Sequence, residues 1–99
     1  MRSMMSEDSA QIVKIDYDNG RYLGQYVIWE GVPMEHGFGL FSWSNGDRYE
    51  GEYNMGVRSG KGTFTWFNGN QYEGDFENDQ RTGKGTMTWS DGTIIPGIS

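Results

Sequence analysis

The side chains that could support acid–base or metal chemistry are a set of carboxylates in the middle of the chain and one histidine. The carboxylates are Glu50, Glu52, Glu73, Asp75, Glu77 and Asp79. Paired carboxylates can act as general acid and base or bind calcium. Their spacing does not match an EF-hand loop, and they alternate along the chain near Lys61 and Lys84. We therefore expect a solvent-exposed strand face and hairpin tips, with no catalytic residue.

The remaining candidate sites lack the neighbours that their chemistry requires. His36 is the only histidine and the chain has no cysteine, so no metal-binding set is expected and His36 is predicted to be structural. The sequences 37–39 and 60–62 have the form Gly-x-Gly, but no predicted helix follows them to hold a phosphate. The sequence therefore predicts no enzyme activity, no metal and no cofactor.

The charge of the chain disfavours two classes of partner. The net charge is −6, and the eight basic residues are scattered along the 99-residue sequence. Nucleic acids and anionic membranes both attract clustered Lys and Arg. We expect no nucleic-acid partner, and a membrane partner is disfavoured. The absence of cysteine and of an apolar leader at the start favours a cytoplasmic location.

The elements that must position these side chains form a repeat with a period of 23 residues. Residues 49–71 and 72–94 align without a gap, so that Tyr49 matches Tyr72 and Trp66 matches Trp89. Upstream, residues 22–48 form a third copy that is four residues longer. A fixed period of this length is typical of arrays in which each unit packs on its neighbours.

Within each unit, side chains alternate between two faces. Tyr and Gly occupy one face of residues 49–53, and Glu the other; residues 60–66 alternate in the same way. Period two predicts strands, and the Asn-Gly and Asp-Gly pairs predict the turns. The sequence therefore predicts an all-β fold, an elongated single-sheet antiparallel meander of stacked β-hairpins.

The register is predicted by matching the faces of neighbouring strands. Within a unit, Tyr53 is expected opposite Gly60, which places Gly51 opposite Gly62 and Tyr49 opposite Phe64. The same register places Glu52 opposite Lys61, Asp75 opposite Lys84 and Glu73 opposite Thr86. Between units, a three-residue loop at 68–70 is expected to pair Trp66 with Tyr72, Phe64 with Gly74 and Gly62 with Phe76. Phe64 and Phe76 would then each lie over a glycine.

The motifs Y-E-G-[ED]-[YF], G-K-G-T-[FM]-T-W and [ND]-G at this spacing resemble the MORN (membrane occupation and recognition nexus) repeat over residues 22–95. The resemblance implies an array of β-hairpins that binds proteins, self-associates or lies near membranes or the cytoskeleton, usually without catalysis. Residues 1–10 are predicted to be disordered and residues 11–99 to form the repeat domain. Its parts are a half unit at 11–21, repeats at 22–48, 49–71 and 72–94, and a partial unit at 95–99. The sequence leaves open whether the chain is a whole protein or the repeat region of a longer one, although the partial unit hints at truncation.

The first repeat departs from the pattern. Its four extra residues lie within the apolar stretch 27–36 and are expected to form a loop. Pairing Tyr26 with Gly37 would place Leu23 opposite Leu40 and Gln25 opposite Phe38, where later units carry charged or polar residues. We call this the first-unit patch; its members are Leu23, Trp29, Met34, Phe38 and Leu40. It is either a cap formed when the loop folds over the face, which we favour, or an interface for a partner or a second copy.

The aromatic face is the predicted core and also the predicted binding surface. A single sheet cannot cover such a stripe completely, and partly open rings suit an extended or helical segment of another protein. The predicted groove residues are Tyr26, Trp43, Tyr49, Tyr53, Phe64, Trp66, Tyr72 and Phe76. The predicted function is a non-enzymatic interaction scaffold. The alternatives are a homo-oligomeric assembly module, a homodimer being the simplest, and a phospholipid-associated targeting module.

Overall fold

The protein, described here by a computed structural model of residues 12–96, is one antiparallel sheet of eight strands in chain order. The strands are β1 (Val13–Tyr17), β2 (Gly20–Trp29), β3 (Val32–Trp43), β4 (Arg48–Asn54), β5 (Val57–Thr65), β6 (Gln71–Glu77), β7 (Gln80–Thr88) and β8 (Ile94–Pro96). The sheet is elongated, with principal extents of 51 × 27 × 21 Å. The predicted all-β meander is confirmed. The prediction of disorder at residues 1–10 lies outside the described residues.

No helix of sufficient length and apolar character to cross a membrane occurs between residues 12 and 96.

Five-residue turns follow β3, β5 and β7, whereas the turn after β1 spans two residues, because Tyr17 pairs with Gly20. In the turn after β5, the Trp66 amide donates to the Asn70 carbonyl at 2.9 Å, and the Gly69 amide donates to the Trp66 carbonyl at 2.9 Å. Gly69 has a φ of 96°, a conformation in which glycine carries no steric penalty. Hydrogen bonds at matching positions close the turns at Trp43 and Trp89.

These turns correct the predicted register between units. Phe64 lies opposite Tyr72 and Gly62 opposite Gly74, whereas the sequence predicted Trp66–Tyr72, Phe64–Gly74 and Gly62–Phe76. The turn spans five residues and not three, so every pair moves by two positions. A shift of two keeps each side chain on its own face, because successive residues of a strand alternate between faces.

Within each unit, the predicted pairing holds in one half of the hairpin and fails in the other. Tyr49–Phe64 and Gly51–Gly62 are confirmed, as is Glu73–Thr86. The ladder then shifts, and Tyr53 lies opposite Arg58 and not Gly60. The first unit shifts in the same way, so that Tyr26 lies opposite Glu35 and not Gly37, while Leu23–Leu40 is confirmed.

The shift is a bulge in which three residues of one strand face a single residue of the other. In the second unit, residues 59–61 face Glu52, and Gly60 has a φ of 87°. The Glu52 side chain accepts a hydrogen bond from the Lys61 amide at 3.2 Å. In the first unit, Gln25 does the same for the Phe38 amide at 2.7 Å. The bulge residue thus supplies a side-chain acceptor where the ladder is interrupted.

The bulge also changes the predicted contacts of Asp75. This residue occupies the bulge of the third unit and is not paired with Lys84. It lies instead opposite Lys61 in β5, and its carboxylate is 2.6 Å from the Lys61 ammonium nitrogen. The pair joins two repeats on the outward face, where Lys61 is largely solvent-exposed, so it contributes little to stability.

The core of each unit is a tyrosine ring that lies on a pair of glycines. Tyr22, Tyr49 and Tyr72 have no exposed surface. A Cβ atom built on Gly39, Gly62 or Gly85 would stand 2.5, 2.5 or 2.6 Å from the Cζ atom of the corresponding tyrosine. Because atoms cannot approach so closely, only glycine allows the ring to lie against the backbone at these positions.

Each of these tyrosines also satisfies a backbone carbonyl in the bulge of its own unit. Tyr49 donates its hydroxyl hydrogen to the Glu52 carbonyl at 2.8 Å, and Tyr72 donates to the Asp75 carbonyl at 3.1 Å. Tyr22 donates to the Gln25 carbonyl in the same way. A bulge leaves a carbonyl without its ladder partner, and the hydroxyl group replaces that partner.

The four extra residues of the first unit lengthen its hairpin and do not form a loop. β2 and β3 continue to a two-residue turn at Glu30 and Gly31, which have φ angles of 50° and 81°. Positive φ at both turn residues is typical of the tightest hairpin connections. The prediction of a loop is therefore wrong, because the apolar residues on each side of Glu-Gly pair with each other and extend both strands.

We predict that Gly62→Ala destabilises the protein by about 1–3 kcal/mol, the usual cost of overpacking a core. The added methyl group would overlap the Tyr49 ring, which has no free space to occupy. Urea unfolding followed by circular dichroism measures the change. Ser59→Ala in the same strand is the control and should change stability by less than about 0.5 kcal/mol. Equal stability of the two variants would contradict the tyrosine–glycine contact as the core.

We also predict a loss of stability at alkaline pH. Burial, together with the nearby Glu35 carboxylate for Tyr22, raises the pKa of Tyr22 and of Tyr49 from 10.0 to about 12. Since the folded state retains the phenol protons more strongly than the unfolded state, this stabilisation is complete below pH 10.0 and is lost as pH rises towards about 12. Tyrosinate absorbance and circular dichroism, measured together, should change in this interval. Ionisation of all tyrosines near pH 10.0 with the sheet intact would contradict this.

Candidate aromatic groove

The aromatic side chains on the inner face form two rows that cross the strands. The buried row runs Tyr22, Tyr53, Tyr49, Phe76 and Tyr72, with successive ring centroids 5.2, 5.3, 4.9 and 5.4 Å apart in edge-to-face contacts. The open row runs Tyr17, Phe41, Trp43, Phe64 and Trp66, with centroids 5.7, 4.6, 5.2 and 4.8 Å apart. Edge-to-face and tilted contacts are favourable arrangements of aromatic rings.

The open row is placed by the ends of the strands next to the five-residue turns. Phe41 and Trp43 are two residues apart in β3, so they project from the same face. Phe64 and Trp66 hold the equivalent positions in the next repeat. All four rings are half-buried and pack on the neighbouring rings of the row. We use the term groove for the surface formed by the open row and the charged residues beside it.

The structure divides the predicted groove residues between the two rows. Trp43, Phe64 and Trp66 belong to the open row, joined by Phe41 and Tyr17, which the predicted set omitted. Four predicted members belong to the buried row and are core residues: Tyr49, Tyr53, Tyr72 and Phe76. Tyr26 is half-buried in β2, opposite Glu35, at the position that Tyr53 and Phe76 hold in the next two units. Partner binding at any of these residues stays a prediction.

Three charged residues lie on the groove face and were missed in the sequence. Glu35, Arg58 and Arg81 are 23 residues apart, and each lies opposite an aromatic residue of the preceding strand: Tyr26, Tyr53 or Phe76. The bulge brings them to these positions. A signal was present, because each stands two residues before the first glycine of the Gly-x-Gly motif, at 37, 60 or 83. The predicted register had no bulge, so these residues were placed in hairpin tips.

Arg58 is held in the centre of the groove. Its guanidinium carbon lies 5.7 Å from the ring centroids of Trp43 and Tyr49 and 5.6 Å from that of Phe64. The Asp79 carboxylate accepts a hydrogen bond from Arg58 Nε at 3.1 Å, and the Asp79 carbonyl accepts one from Nη2 at 2.7 Å. The charge of Arg58 is therefore compensated within the chain. Asp79 lies in an exposed hairpin tip, as expected, and its hydrogen bonds to Arg58 connect that tip to the preceding hairpin.

Glu35 stands in the same position one repeat earlier and has the opposite charge. The residue is only 8% exposed, and its Oε2 accepts a hydrogen bond from the Tyr17 hydroxyl at 2.5 Å. Gly56 takes the place of Asp79 there, and its amide donates to the Glu35 carbonyl. Partial burial and the hydrogen bond to Glu35 raise the pKa of Tyr17 to about 12, so this donor keeps its proton at neutral pH.

Arg81 occupies the third of these positions. Its guanidinium carbon lies 5.2 Å from the Trp66 ring centroid and 5.7 Å from that of Tyr72. In the part of the chain that the structure describes, no carboxylate forms an ion pair with Arg81, and no basic side chain forms one with Glu35. The two ends of the groove thus carry uncompensated charges of opposite sign.

Two hollows lie along the groove. One, of about 190 Å³, is lined at its first-unit end by Glu35, Phe41 and Trp43, and Arg58 and Asp79 close its other side. The second, of about 460 Å³, is lined by Arg58, Phe64, Trp66 and Arg81 together with Phe76, Asp79 and Gln80. The pair formed by Arg58 and Asp79 separates them.

The first-unit patch is exposed on the opposite face. Leu23, Trp29 and Phe38 are 47%, 52% and 53% exposed, and Met34 and Leu40 are half-buried. The longer hairpin does not fold over Leu23 and Phe38 in the described residues, so the predicted cap is wrong. The cause is the straight continuation of β2 and β3. An interface at this patch stays a prediction.

The remaining candidates for chemistry have structural contacts. His36 Nδ1 accepts a hydrogen bond from the Met55 amide at 3.1 Å, which connects β3 to the next hairpin tip. The carboxylates Glu50, Glu52, Glu73 and Glu77 are exposed. No group of three or more potential metal ligands occurs within residues 12–96.

Comparison with known families agrees with this architecture. A family model described as the MORN repeat matches residues 34–48, 49–71 and 72–94, more than half of the chain. The first matched segment begins at Met34, inside the lengthened hairpin, so the match omits β2. A search of curated proteins found no match.

We predict that Arg58→Ala costs about 1–3 kcal/mol of stability, because it removes two hydrogen bonds and the contacts with aromatic rings. Arg81→Ala, one repeat later, is the matched control, and it should cost less than about 1 kcal/mol because the exposed Arg81 loses ring contacts and no ion pair. Thermal unfolding of the two variants beside the wild type tests this. A larger loss in Arg81→Ala would show that Arg58 does not connect the repeats.

Proposed function

The chain belongs to the MORN-repeat family, and on this premise we propose that it is a non-enzymatic adaptor whose groove binds a segment of a partner protein. The observation that carries the proposal is the open row of half-buried rings beside a hollow of about 460 Å³. Aromatic and Arg side chains in such surroundings are the residues that dominate the energetics of protein interfaces.

The geometry of the groove supports binding without catalysis. Its rings are already fixed by contacts with their neighbours and with Arg58. A partner would therefore bind a preformed surface and would order few side chains of this chain, which reduces the entropic cost of association. In the centre of the groove Arg58 is engaged with Asp79, and at one end Glu35 accepts a hydrogen bond from Tyr17.

Self-association is the competing proposal. The first and last described strands, β1 and β8, each have one partner strand in the sheet, and the first-unit patch exposes apolar side chains. Either feature could join two copies. We favour the groove because its aromatic row continues through consecutive units, whereas the patch belongs to one unit.

We predict that groove substitutions abolish capture of a partner by the purified, tagged protein. Trp66→Ala removes a ring of the open row, and Gln80→Trp fills the larger hollow from an exposed position without truncating the core. Both should reduce recovery of the partner at least about tenfold, since central aromatic residues commonly contribute 2 kcal/mol or more. The partner is identified by mass spectrometry and confirmed as a purified protein.

Phe67→Ala is the matched control, because Phe67 adjoins Trp66 in sequence and is 72% exposed outside the groove. Its partner recovery should equal that of the wild type. Identical partners for the wild type and both groove variants would refute the proposal. Sedimentation at several concentrations tests the alternative, since a monomer throughout would rule out a dimer in that range.

A further inference from the structure

The charges at the ends of the groove have opposite signs, and this bears on which segment it can hold. Glu35 at one end and Arg81 at the other occupy equivalent positions of the first and third repeats. Between them, Arg58 is compensated by Asp79. The groove therefore has a negative end, a neutral centre and a positive end.

The negative end is suited to a cation. The hollow of about 190 Å³ is lined by Glu35, Phe41 and Trp43, and Arg58, which also lines it, is paired with Asp79. Oxygen Oε2 of Glu35 accepts the Tyr17 hydroxyl, which leaves the second oxygen without a described donor. A carboxylate with aromatic walls favours an ammonium or guanidinium group, through ion pairing and cation–π attraction together.

The positive end is suited to a carboxylate. The Arg81 guanidinium carbon lies 5.2 Å from the Trp66 ring centroid and 5.7 Å from that of Tyr72, and within the described residues no ion pair engages its N–H donors. A guanidinium held in this way can bind a carboxylate through two parallel hydrogen bonds. The residue lines the larger hollow and is exposed, so a partner can reach it.

The distance between the two ends fixes the spacing of complementary charges in a ligand. Glu35 lies in β3 and Arg81 in β7, four strands apart. At about 4.8 Å per strand this is about 19 Å, which an extended chain covers in about six residues at about 3.3 Å each. The hollows have the volumes of single side chains or small groups of them, whereas a helix has a diameter of about 10 Å. An extended segment fits better.

We propose that the groove binds an extended segment with a basic residue at the Glu35 end and an acidic residue about six positions away at the Arg81 end. Apolar side chains between the two would lie against the open row. The inference rests on the proposed function, because it specifies the class of segment that the groove would hold. The alternation of charge fixes the orientation of the bound chain.

Selection of displayed random peptides tests the inference. Peptides are selected on the wild type, on Glu35→Gln, on Arg81→Glu and on Arg48→Glu. Glu35→Gln keeps an oxygen for the Tyr17 hydroxyl, and Arg48→Glu makes the same change of charge as Arg81→Glu on the outward face. Circular dichroism confirms that each variant is folded, and Arg81→Gln replaces Arg81→Glu if the latter is not.

The wild type should select peptides with a basic and an acidic residue about six positions apart. Peptides selected on Arg81→Glu should lose the preference for the acidic residue, and those selected on Glu35→Gln should lose the preference for the basic one. Arg48→Glu should select the same peptides as the wild type. A synthetic peptide of the selected sequence should bind Arg81→Glu about tenfold more weakly, because a like-charge contact replaces an ion pair.

Two results would overturn the inference, and they are distinguishable. In the first, the selected peptides bind the wild type and not Trp66→Ala, but they carry no paired charges, or their paired charges are unaffected by Arg81→Glu. This result would refute the charge pattern and leave the aromatic groove as a binding site. No groove-dependent peptide at all would refute the proposed function, and the inference with it.

Discussion

The contact between a tyrosine ring and a pair of cross-strand glycines is the constraint on which the rest of this structure depends. A single sheet has no second layer to cover its face, and Tyr22, Tyr49 and Tyr72 serve as that layer by lying on the backbone of their own hairpins. The ring replaces the side chains that the glycines lack. Each contact is complete within one unit, and the next unit adds an edge-to-face contact to the same tyrosine, from Tyr53 to Tyr22 and from Phe76 to Tyr49.

The same contact explains why the hairpins are bulged. The hydroxyl group of each tyrosine reaches past the glycine pair to a carbonyl three residues along the chain, and that carbonyl belongs to the bulge. Two extra residues on the opposite strand preserve the alternation of faces, since the side-chain period is two. Arg58 and its counterparts therefore arrive on the aromatic face and not in solvent. The positions of the charged residues in the groove thus follow from the bulge that accompanies the tyrosine–glycine contact.

The sequence was sufficient to predict the sheet, because period two, the turn pairs and the 23-residue repeat all indicate the same hairpins. It was also sufficient for Tyr49–Phe64 and for three members of the open row. Matching of faces could not find the register between units, because a displacement of two residues leaves every face unchanged. The same degeneracy concealed the bulge, and with it the positions of Glu35, Arg58 and Arg81. Separating the buried row from the open row required the three-dimensional overlap of Tyr49 with Gly62.

Regularity and specificity lie at different positions of the repeat. The tyrosine and its glycine pair recur in all three units because any other residue would remove the layer or collide with it. The position held by Glu35, Arg58 and Arg81 is free of that requirement, since its side chain extends into the groove over rings that accept several neighbours. Even a change of sign is tolerated there, with Tyr17 replacing Asp79 as the partner. A fold that fixes its core within each unit can therefore vary one position per unit, and so change what the groove recognises without altering how the sheet is built.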